Sequence, residues 1–199
     1  SERITQNRII QLFVKELKYT YLGDWQEEVR TQPIEEKLLF SFLTKGNKYS
    51  SEMAHKAVAA FVKAATNLSD DLYETNKEVY NLLRYGITVR EELGQPKETV
   101  WLIDWKNPSN NDFAVAEEVT VAGKHSKRPD VVLFVNGIAI GVIELKGSKV
   151  FLEEGIRQNL DNQKPEFIQK YFTTMQLVMA GNDTQGLQFG TIKTSEKYY

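Results

Sequence analysis

The sequence contains no cysteine and only two histidines among its 199 residues. Disulfide bonds and thiolate zinc sites are therefore excluded, and a histidine-rich metal centre or a Ser/His catalytic triad is implausible. No apolar run is long enough to span a bilayer, and the first residues do not have the pattern of a signal peptide. We therefore expect a cytoplasmic protein without a membrane partner.

The chain also lacks a large excess of charge of either sign. Its 25 Lys and Arg residues stand against 27 Asp and Glu residues, which gives a net charge of −2. Proteins that bind nucleic acids usually carry a basic excess, so a DNA partner would require a positive field that is local. The sequence also lacks a Gly-x-x-x-x-Gly-Lys-Ser/Thr loop, and we do not expect this segment to bind ATP by itself.

Helical patterns dominate residues 1–86, and strand patterns dominate residues 87–199. We predict helices over about 4–18, from Pro33, from Ser50 or Ser51, and from about Ser69 to Arg84 with Gly86 as the stop. Two almost wholly apolar strands, 131–135 and 138–143, flank Asn136-Gly137, which is a strong β-hairpin signal. A helix over 152–163 and a strand over 174–180 follow. This order predicts an α+β (mixed α/β) fold, with a mainly helical N-terminal part packed on a central mixed sheet.

Charged residues occur where the two hairpin strands would end. Asp130 directly precedes the first strand, and Glu144-Leu145-Lys146 ends the second. Side chains alternate between faces along a strand, so Glu144 and Lys146 project to the same side. Two carboxylates and the backbone carbonyl of Leu145 suit Mg²⁺ or Mn²⁺, and a lysine beside them can stabilise phosphate charge or position water. The alternative is an exposed Glu144–Lys146 ion pair, with Asp130 as a turn residue.

The register of the hairpin tests this interpretation. A strict two-residue turn at Asn136-Gly137 would place Pro129 opposite Glu144 and would turn Asp130 to the other face. One extra residue in the loop or one β-bulge would return Asp130 to the side of Glu144. The metal-site hypothesis therefore predicts a three-residue turn or a bulge.

The densest basic cluster directly precedes this acidic site. It consists of Lys124, His125, Lys127 and Arg128. Such a cluster is typical of a solvated loop, but its position beside Asp130 favours contact with DNA phosphates.

The segments around Asp130 and Glu144 resemble the N-terminal nuclease domain of type I restriction enzyme R subunits, which belong to the PD-(D/E)xK nuclease superfamily. The resemblance rests on residues 128–137 and 142–146 and extends over 21–25, 85–89, 102–108, 111–113, 176–180 and 189–191. It implies a restriction-endonuclease-like core that hydrolyses phosphodiester bonds in double-stranded DNA with Mg²⁺. It also implies that the full protein carries an ATP-driven motor and assembles with methyltransferase (M) and specificity (S) subunits.

The resemblance assigns roles by position. Asp130 and Glu144 would be metal ligands and catalytic residues, and Lys146 would be the catalytic lysine. The family also carries a Gln-xxx-Tyr element on the following helix, and Gln158 is the best-placed glutamine, as a candidate DNA contact. Asn162 stands where the tyrosine would be, and Gln169 fails at Thr173, so this element is altered or absent. An upstream acid is common in the superfamily, but Glu16 is a weak candidate.

A second hypothesis from another functional class stays open. The near-neutral charge and the missing tyrosine are also compatible with a catalytically idle DNA-binding or subunit-docking domain that has the same fold.

Overall fold

The computed structural model describes residues 1–68 and 71–199, and in these residues five α-helices and eight β-strands occur. The helices are α1 (Glu2–Gln11), α2 (Glu36–Thr44), α3 (Ser51–Thr66), α4 (Leu72–Tyr85) and α5 (Leu152–Asn162), and a π-helical turn, Leu12–Glu16, continues α1. The strands are β1 (Thr20–Asp24), β2 (Ile87–Val89), β3 (Glu98–Val100), β4 (Phe113–Glu117), β5 (Val131–Val135), β6 (Ile138–Leu145), β7 (Leu177–Asn182) and β8 (Gly186–Gly190). The predicted α+β class is confirmed.

Six of the described strands form one mixed sheet in the order β1-β4-β5-β6-β7-β8. The β1–β4 and β6–β7 pairs are parallel, and the other pairs in this sheet are antiparallel. Strands β2 and β3 pair only with each other. Strand β1 comes from the part of the sequence predicted to be mainly helical, and it joins the sheet through β4.

Each face of the large sheet buries a different apolar set. On one face, Val115, Val131, Ile143, Leu145 and Met179 pack against side chains of α1 and the π-helical turn. On the other face, α5 packs on β7 and β6. Helices α2, α3 and α4 form a separate core with the β2–β3 hairpin, and Ile138 at the start of β6 belongs to this core. The site end of β6 is therefore free of the three-helix core.

The helix boundaries follow local capping chemistry. The Ser50 side chain accepts a hydrogen bond from Met53 N at 3.2 Å, as the prediction of a cap at Ser50 or Ser51 requires. Helix α4 begins after Asp71, which accepts from Glu74 N at 2.9 Å, and ends at Gly86 with φ +78°. Its predicted start at Ser69 lies outside the described residues.

Two predicted element starts are wrong by three residues each. Helix α2 begins at Glu36 rather than Pro33, because Ile34 is held in a β-bridge to Ile138 and Ala139 N donates to Pro33 O. Strand β7 begins at Leu177 rather than residue 174, because the chain turns there and Thr174 Oγ1 donates to Ala139 O at 2.6 Å. Within the described part of the chain, no helix is both long and apolar enough to cross a membrane.

Candidate active site

A β-bulge in the β5–β6 hairpin brings the two acidic positions together. Asn136 and Gly137 form a two-residue turn, with φ +53° and φ +80° and with Val135 paired to Ile138. The register then shifts between Leu133 and Phe134, which leaves Ile140 as the extra residue, and Val131 pairs with Ile143. Continuation of this register places Asp130 opposite Glu144. The predicted bulge is therefore confirmed, and the regular hairpin that would have separated the acids is excluded.

Asp130 and Glu144 are both removed from solvent, at 8% and 1% exposure. The Oδ2 atom of Asp130 accepts a hydrogen bond from the backbone N of Leu145 at 2.7 Å. The Oε1 atom of Glu144 accepts from Gln158, and Lys146 Nζ lies 3.4 Å from it. The Oε2 atom of Glu144 is buried, and no hydrogen-bond partner within 3.5 Å is found for it among the described residues. An exposed Glu144–Lys146 pair, the alternative weighed from sequence, does not describe this arrangement.

Burial makes both carboxyl groups weaker acids. Loss of solvent raises the pKa of Asp130 to about 6, against the hydrogen bond from Leu145 N and the charge of Lys146, which lower it. Burial also raises the pKa of Glu144 well above its ordinary value, and the negative charge of Asp130 raises it further. Two buried acids that repel each other form a site that favours either a proton or a cation.

Helix α5 supplies Gln158, which contacts Lys146 and Glu144. Its Oε1 atom accepts from Lys146 Nζ at 2.8 Å, while its Nε2 group donates to Glu144 Oε1. Gly155, one turn earlier, permits this approach, since a Cβ there would lie 3.2 Å from Ala180 Cβ and 3.4 Å from Lys146 Cγ. The structure shows that Gln158 contacts Lys146 and Glu144, and its predicted contact with DNA stays a prediction.

The structure also locates the residues of the altered Gln-xxx-Tyr element. Asn162 is buried at the last position of α5, and no described residue forms a hydrogen bond with its side-chain N or O. Gln169 donates to Gln163 O at 3.1 Å and makes no contact with the acidic pair among the described residues. Gln158 is therefore the glutamine that belongs to the site.

An acid at the start of α1 also influences the site. The negative charge of Glu2 raises the pKa of Asp130. The backbone N of Glu2 would lie 3.7 Å from a Cβ added at Gly147, directly after Lys146. Glu16, the acid considered from sequence, is exposed in the π-helical turn. Sequence analysis missed Glu2 because it placed the start of α1 two residues later.

Glu118 is a second residue that sequence analysis missed. Its backbone has φ +52°, a conformation that is uncommon for a residue with a side chain. Its N–H donates to Asp130 O at 2.9 Å, and its carboxylate lies 2.8 Å from Arg128 Nε. Glu118 therefore contacts both Asp130 and Arg128.

The residues of the basic cluster lie in two different places, with Arg128 beside the acidic site and Lys124 and Lys127 beside Phe167. Arg128 is held beside the site by Glu118. Lys127 Nζ lies 4.3 Å from the ring centroid of Phe167, and Lys124 lines a surface cavity with Phe167 and Lys170. The backbone N of His125 donates to Glu166 O. Only Arg128 of the cluster is linked to the acidic residues by contacts among the described residues.

The donor atoms of the site fit a hard divalent cation. Asp130 and Glu144 offer carboxylate oxygens, including the unpartnered Oε2 of Glu144, and the backbone carbonyl of Leu145 is adjacent in sequence. Among the described residues, no group of three or more His, Cys, Asp or Glu side chains is arranged to hold a metal ion. This protein would thus supply two carboxylates, and water or phosphate oxygens would complete the coordination.

Comparison with known proteins finds similarity to type I restriction enzymes. The family model described as the type I restriction enzyme R protein N terminus matches residues 1–197. The HindI endonuclease subunit of a type I restriction enzyme from Haemophilus influenzae is 38% identical over 105 residues, which cover 50% of this chain and 10% of that protein. The EcoprrI endonuclease subunit from Escherichia coli is 30% identical over 102 residues, which cover 50% of this chain and 33% of that protein.

A third relative covers more of the chain. It is provisionally named as the MjaVIIIP endonuclease subunit of a type I restriction enzyme from Methanocaldococcus jannaschii, and it is 29% identical over 183 residues. The match covers 89% of this chain and 17% of that protein, so the chain corresponds to a small part of this relative's length. The match to nearly every residue, together with the mixed sheet and its flanking helices, shows that the chain belongs to the family of type I restriction enzyme R protein N-terminal regions.

Proposed function

We propose that this domain is the Mg²⁺-dependent endonuclease of a type I restriction enzyme and hydrolyses phosphodiester bonds in duplex DNA. The observation that carries the proposal is the bulge at Ile140, which places Asp130 opposite Glu144. A bulge that disturbs a buried hairpin has a functional explanation if both carboxylates must face one ion. The orphaned Oε2 of Glu144 supports the same conclusion.

Each side chain of the proposed site has a separate role. Asp130 and Glu144 bind the cation, with the Leu145 carbonyl as a further oxygen donor, and Mn²⁺ would suit the same donors. Bound Mg²⁺ supplies charge neutralisation at the phosphate and activation of water. Lys146 offers a cation beside the developing charge, and Gln158 restricts the position of its Nζ group by the 2.8 Å contact. Arg128 pairs with Glu118 through Nε, and its Nη groups would bind a phosphate.

The relatives' names describe subunits, and this chain covers a third or less of the three relatives named above. We therefore infer that the full polypeptide continues into an ATP-driven motor and acts on DNA with methyltransferase and specificity subunits. Lys124 and Lys127 would add positive charge to the DNA-binding surface at some distance from the acidic pair. Sequence choice would belong to the partner subunit, because the described site offers groups for phosphate rather than for bases.

The decisive experiment uses the full-length polypeptide with its partner subunits, ATP and Mg²⁺ on plasmid DNA. We expect Asp130→Asn and Lys146→Ala to reduce DNA cutting by at least 100-fold, which is the typical effect of losing a group that stabilises charge in the transition state. The rate of ATP hydrolysis should stay within twofold of wild type. Asp112→Asn and Lys149→Ala are matched controls, because both residues are exposed. Cutting that persists in both site variants would instead support the catalytically idle docking domain.

A further inference from the structure

An exposed aromatic surface lies near the turn end of the β5–β6 hairpin, whereas the acidic site lies at the other end of the same strands. This aromatic surface consists of Tyr80, Arg84, Tyr85, Trp101, Trp105 and Lys106, which we call the aromatic patch. Its four aromatic side chains are 48%, 65%, 41% and 47% exposed, in chain order. They surround two adjoining concavities of about 470 and 310 Å³ that share Arg84 and Trp105. Large aromatic side chains together with arginine are enriched at protein interfaces and are over-represented among residues that dominate binding.

Hydrogen bonds and ring contacts hold the aromatic patch in place. The indole N–H of Trp105 donates to Leu83 O at 2.8 Å, and the backbone N of Trp101 donates to the Tyr49 hydroxyl at 2.9 Å. The Arg84 guanidinium lies 5.3 Å from the Trp105 ring and 5.9 Å from the Tyr85 ring. A surface that is already ordered loses little conformational entropy when a partner binds.

The larger concavity beside the aromatic patch is lined by three cationic side chains and one acidic side chain, so its lining has a net positive charge. Lys48, Arg84 and Lys106 line the larger concavity, and no salt bridge joins them to a carboxylate within the described chain. Asp104, the one acid in this lining, already accepts from Lys106 N, Asn107 N and the Asn110 amide. A complementary partner therefore presents apolar side chains flanked by Asp or Glu.

The position of the patch favours a protein partner over DNA. The smaller concavity is lined by Phe113 and Val135, which pair at the turn end of the β5–β6 hairpin. Ile140, which also lines this concavity, lies four strand residues before Glu144, so roughly 13 Å of strand separate the near edge of the patch from the acidic pair. Arg84 also stands against the Trp105 ring, which hinders stacking of a base on that side.

We propose that the aromatic patch docks onto an acidic, apolar surface of the remainder of the same polypeptide. In the three relatives compared above, at least two thirds of the polypeptide lies outside the matched region, since the chain spans 10%, 17% and 33% of them. A domain that is covalently joined to so much further protein meets it at a high effective concentration, which favours an interface in cis.

The test places a photo-crosslinking amino acid, p-benzoylphenylalanine, at Tyr85 in the full-length polypeptide assembled with its partner subunits. Tyr73, at the other end of α4 and 51% exposed, receives the same substitution as the control. After irradiation without DNA, we expect position 85 to crosslink to peptides beyond residue 199 of the same polypeptide, at least fivefold above position 73. The crosslinked peptides should contain Asp or Glu beside apolar residues.

A charge reversal tests the stated chemistry of the partner. Lys106→Glu should lower the crosslinking yield at position 85 at least threefold, whereas Lys63→Glu, an exposed lysine on α3, should leave it unchanged. Crosslinks only to DNA, to another subunit or to a second copy of the chain would overturn the proposal, as would a yield equal to that at position 73. Because crosslinking does not depend on cutting, these outcomes are separate from the test of nuclease activity.

Discussion

At the residue scale, the negative charge of the buried acidic pair destabilises the fold, although the proposed function requires that charge. Asp130 and Glu144 are buried, and only part of their charge is compensated by Lys146, Gln158 and the Leu145 N–H. An ionised carboxylate that is removed from water destabilises the fold unless a cation or donor compensates it. Natural proteins accept such costs at sites where the charge is needed.

The sign of the pH effect follows from the raised pKa of Asp130. Its folded-state pKa of about 6 exceeds its ordinary value of 3.8, so the folded protein holds the proton more tightly than the unfolded chain. Stability should therefore fall as pH rises from about 4 through about 6, and the loss is complete above that range. In the absence of Mg²⁺, we expect Asp130→Asn to raise the free energy of unfolding at pH 8 by on the order of 2–3 kcal/mol and to change it little at pH 4.

Urea denaturation at the two pH values measures this effect. Asp112→Asn, at an exposed carboxylate, is the control and should stay within about 0.5 kcal/mol at both. If the ionised pair binds Mg²⁺ as proposed, added Mg²⁺ should stabilise the wild type more than Asp130→Asn. A destabilised Asp130→Asn variant at pH 8 would contradict the assignment of a raised pKa.

At the element scale, the β5–β6 hairpin determines the site through its turn and its bulge. The turn is not exposed, since the Asn136 amide donates to Leu102 O and Asn111 Oδ1 while Asp112 N donates to its oxygen. Glu35 N donates to Gly137 O at 2.8 Å, so the segment before α2 holds the other side of the turn. With the turn fixed in this way, the extra residue is accommodated within the strand at Ile140.

Replacement by alanine should therefore destabilise the protein more at Gly137 than at Gly94, although both glycines have a positive φ. A Cβ at Gly137, φ +80°, would lie 2.7 Å from Glu35 O and 2.9 Å from Leu39 N, whereas a Cβ at Gly94, φ +91°, meets nothing within 4 Å. We expect Gly94→Ala to cost ~1–2 kcal/mol of stability from backbone strain alone. Gly137→Ala should cost a further ~1–3 kcal/mol from steric overlap, measured by urea denaturation. Equal losses would show that α2 does not constrain the turn.

At the scale of the whole molecule, the first half of α1 is attached to both sides of the site by polar contacts. Arg3 and Gln6 donate to Glu117 near the end of β4 at 2.9 and 2.8 Å. On the other side, Thr5 Oγ1 donates to Asp183 at 2.8 Å, and Arg8 pairs with the same carboxylate in the turn between β7 and β8. The second half of the helix is instead held by apolar packing. The two halves should therefore respond differently to salt.

We expect amide hydrogen exchange of residues 5–8 to accelerate at least threefold between 0.1 and 1 M NaCl, because exposed ion pairs are screened. Residues 12–16, which follow the apolar part of the helix, should change less than twofold. Asp183→Asn should reproduce the salt effect at low ionic strength, whereas Asp161→Asn, which removes an exposed pair with Lys164, should not. Exchange in α1 that is insensitive to both salt and Asp183→Asn would show that the polar contacts do not hold this helix.

Short stretches of the sequence predicted the hairpin turn, the bulge and the candidate residues of the site. Asn136-Gly137 specified the turn through the positive φ angles that these residues tolerate, and the positions of Asp130 and Glu144 required a bulge if they were to act together. Packing of the folded chain selects the distant residues that lie beside these two acids. Gln158 reaches Lys146 because Gly155 lets α5 approach β6, and Lys127 is drawn to Phe167, away from Arg128. These contacts, like the burial that raises the pKa of Asp130, depend on packing between segments far apart in the chain, which local sequence patterns do not encode.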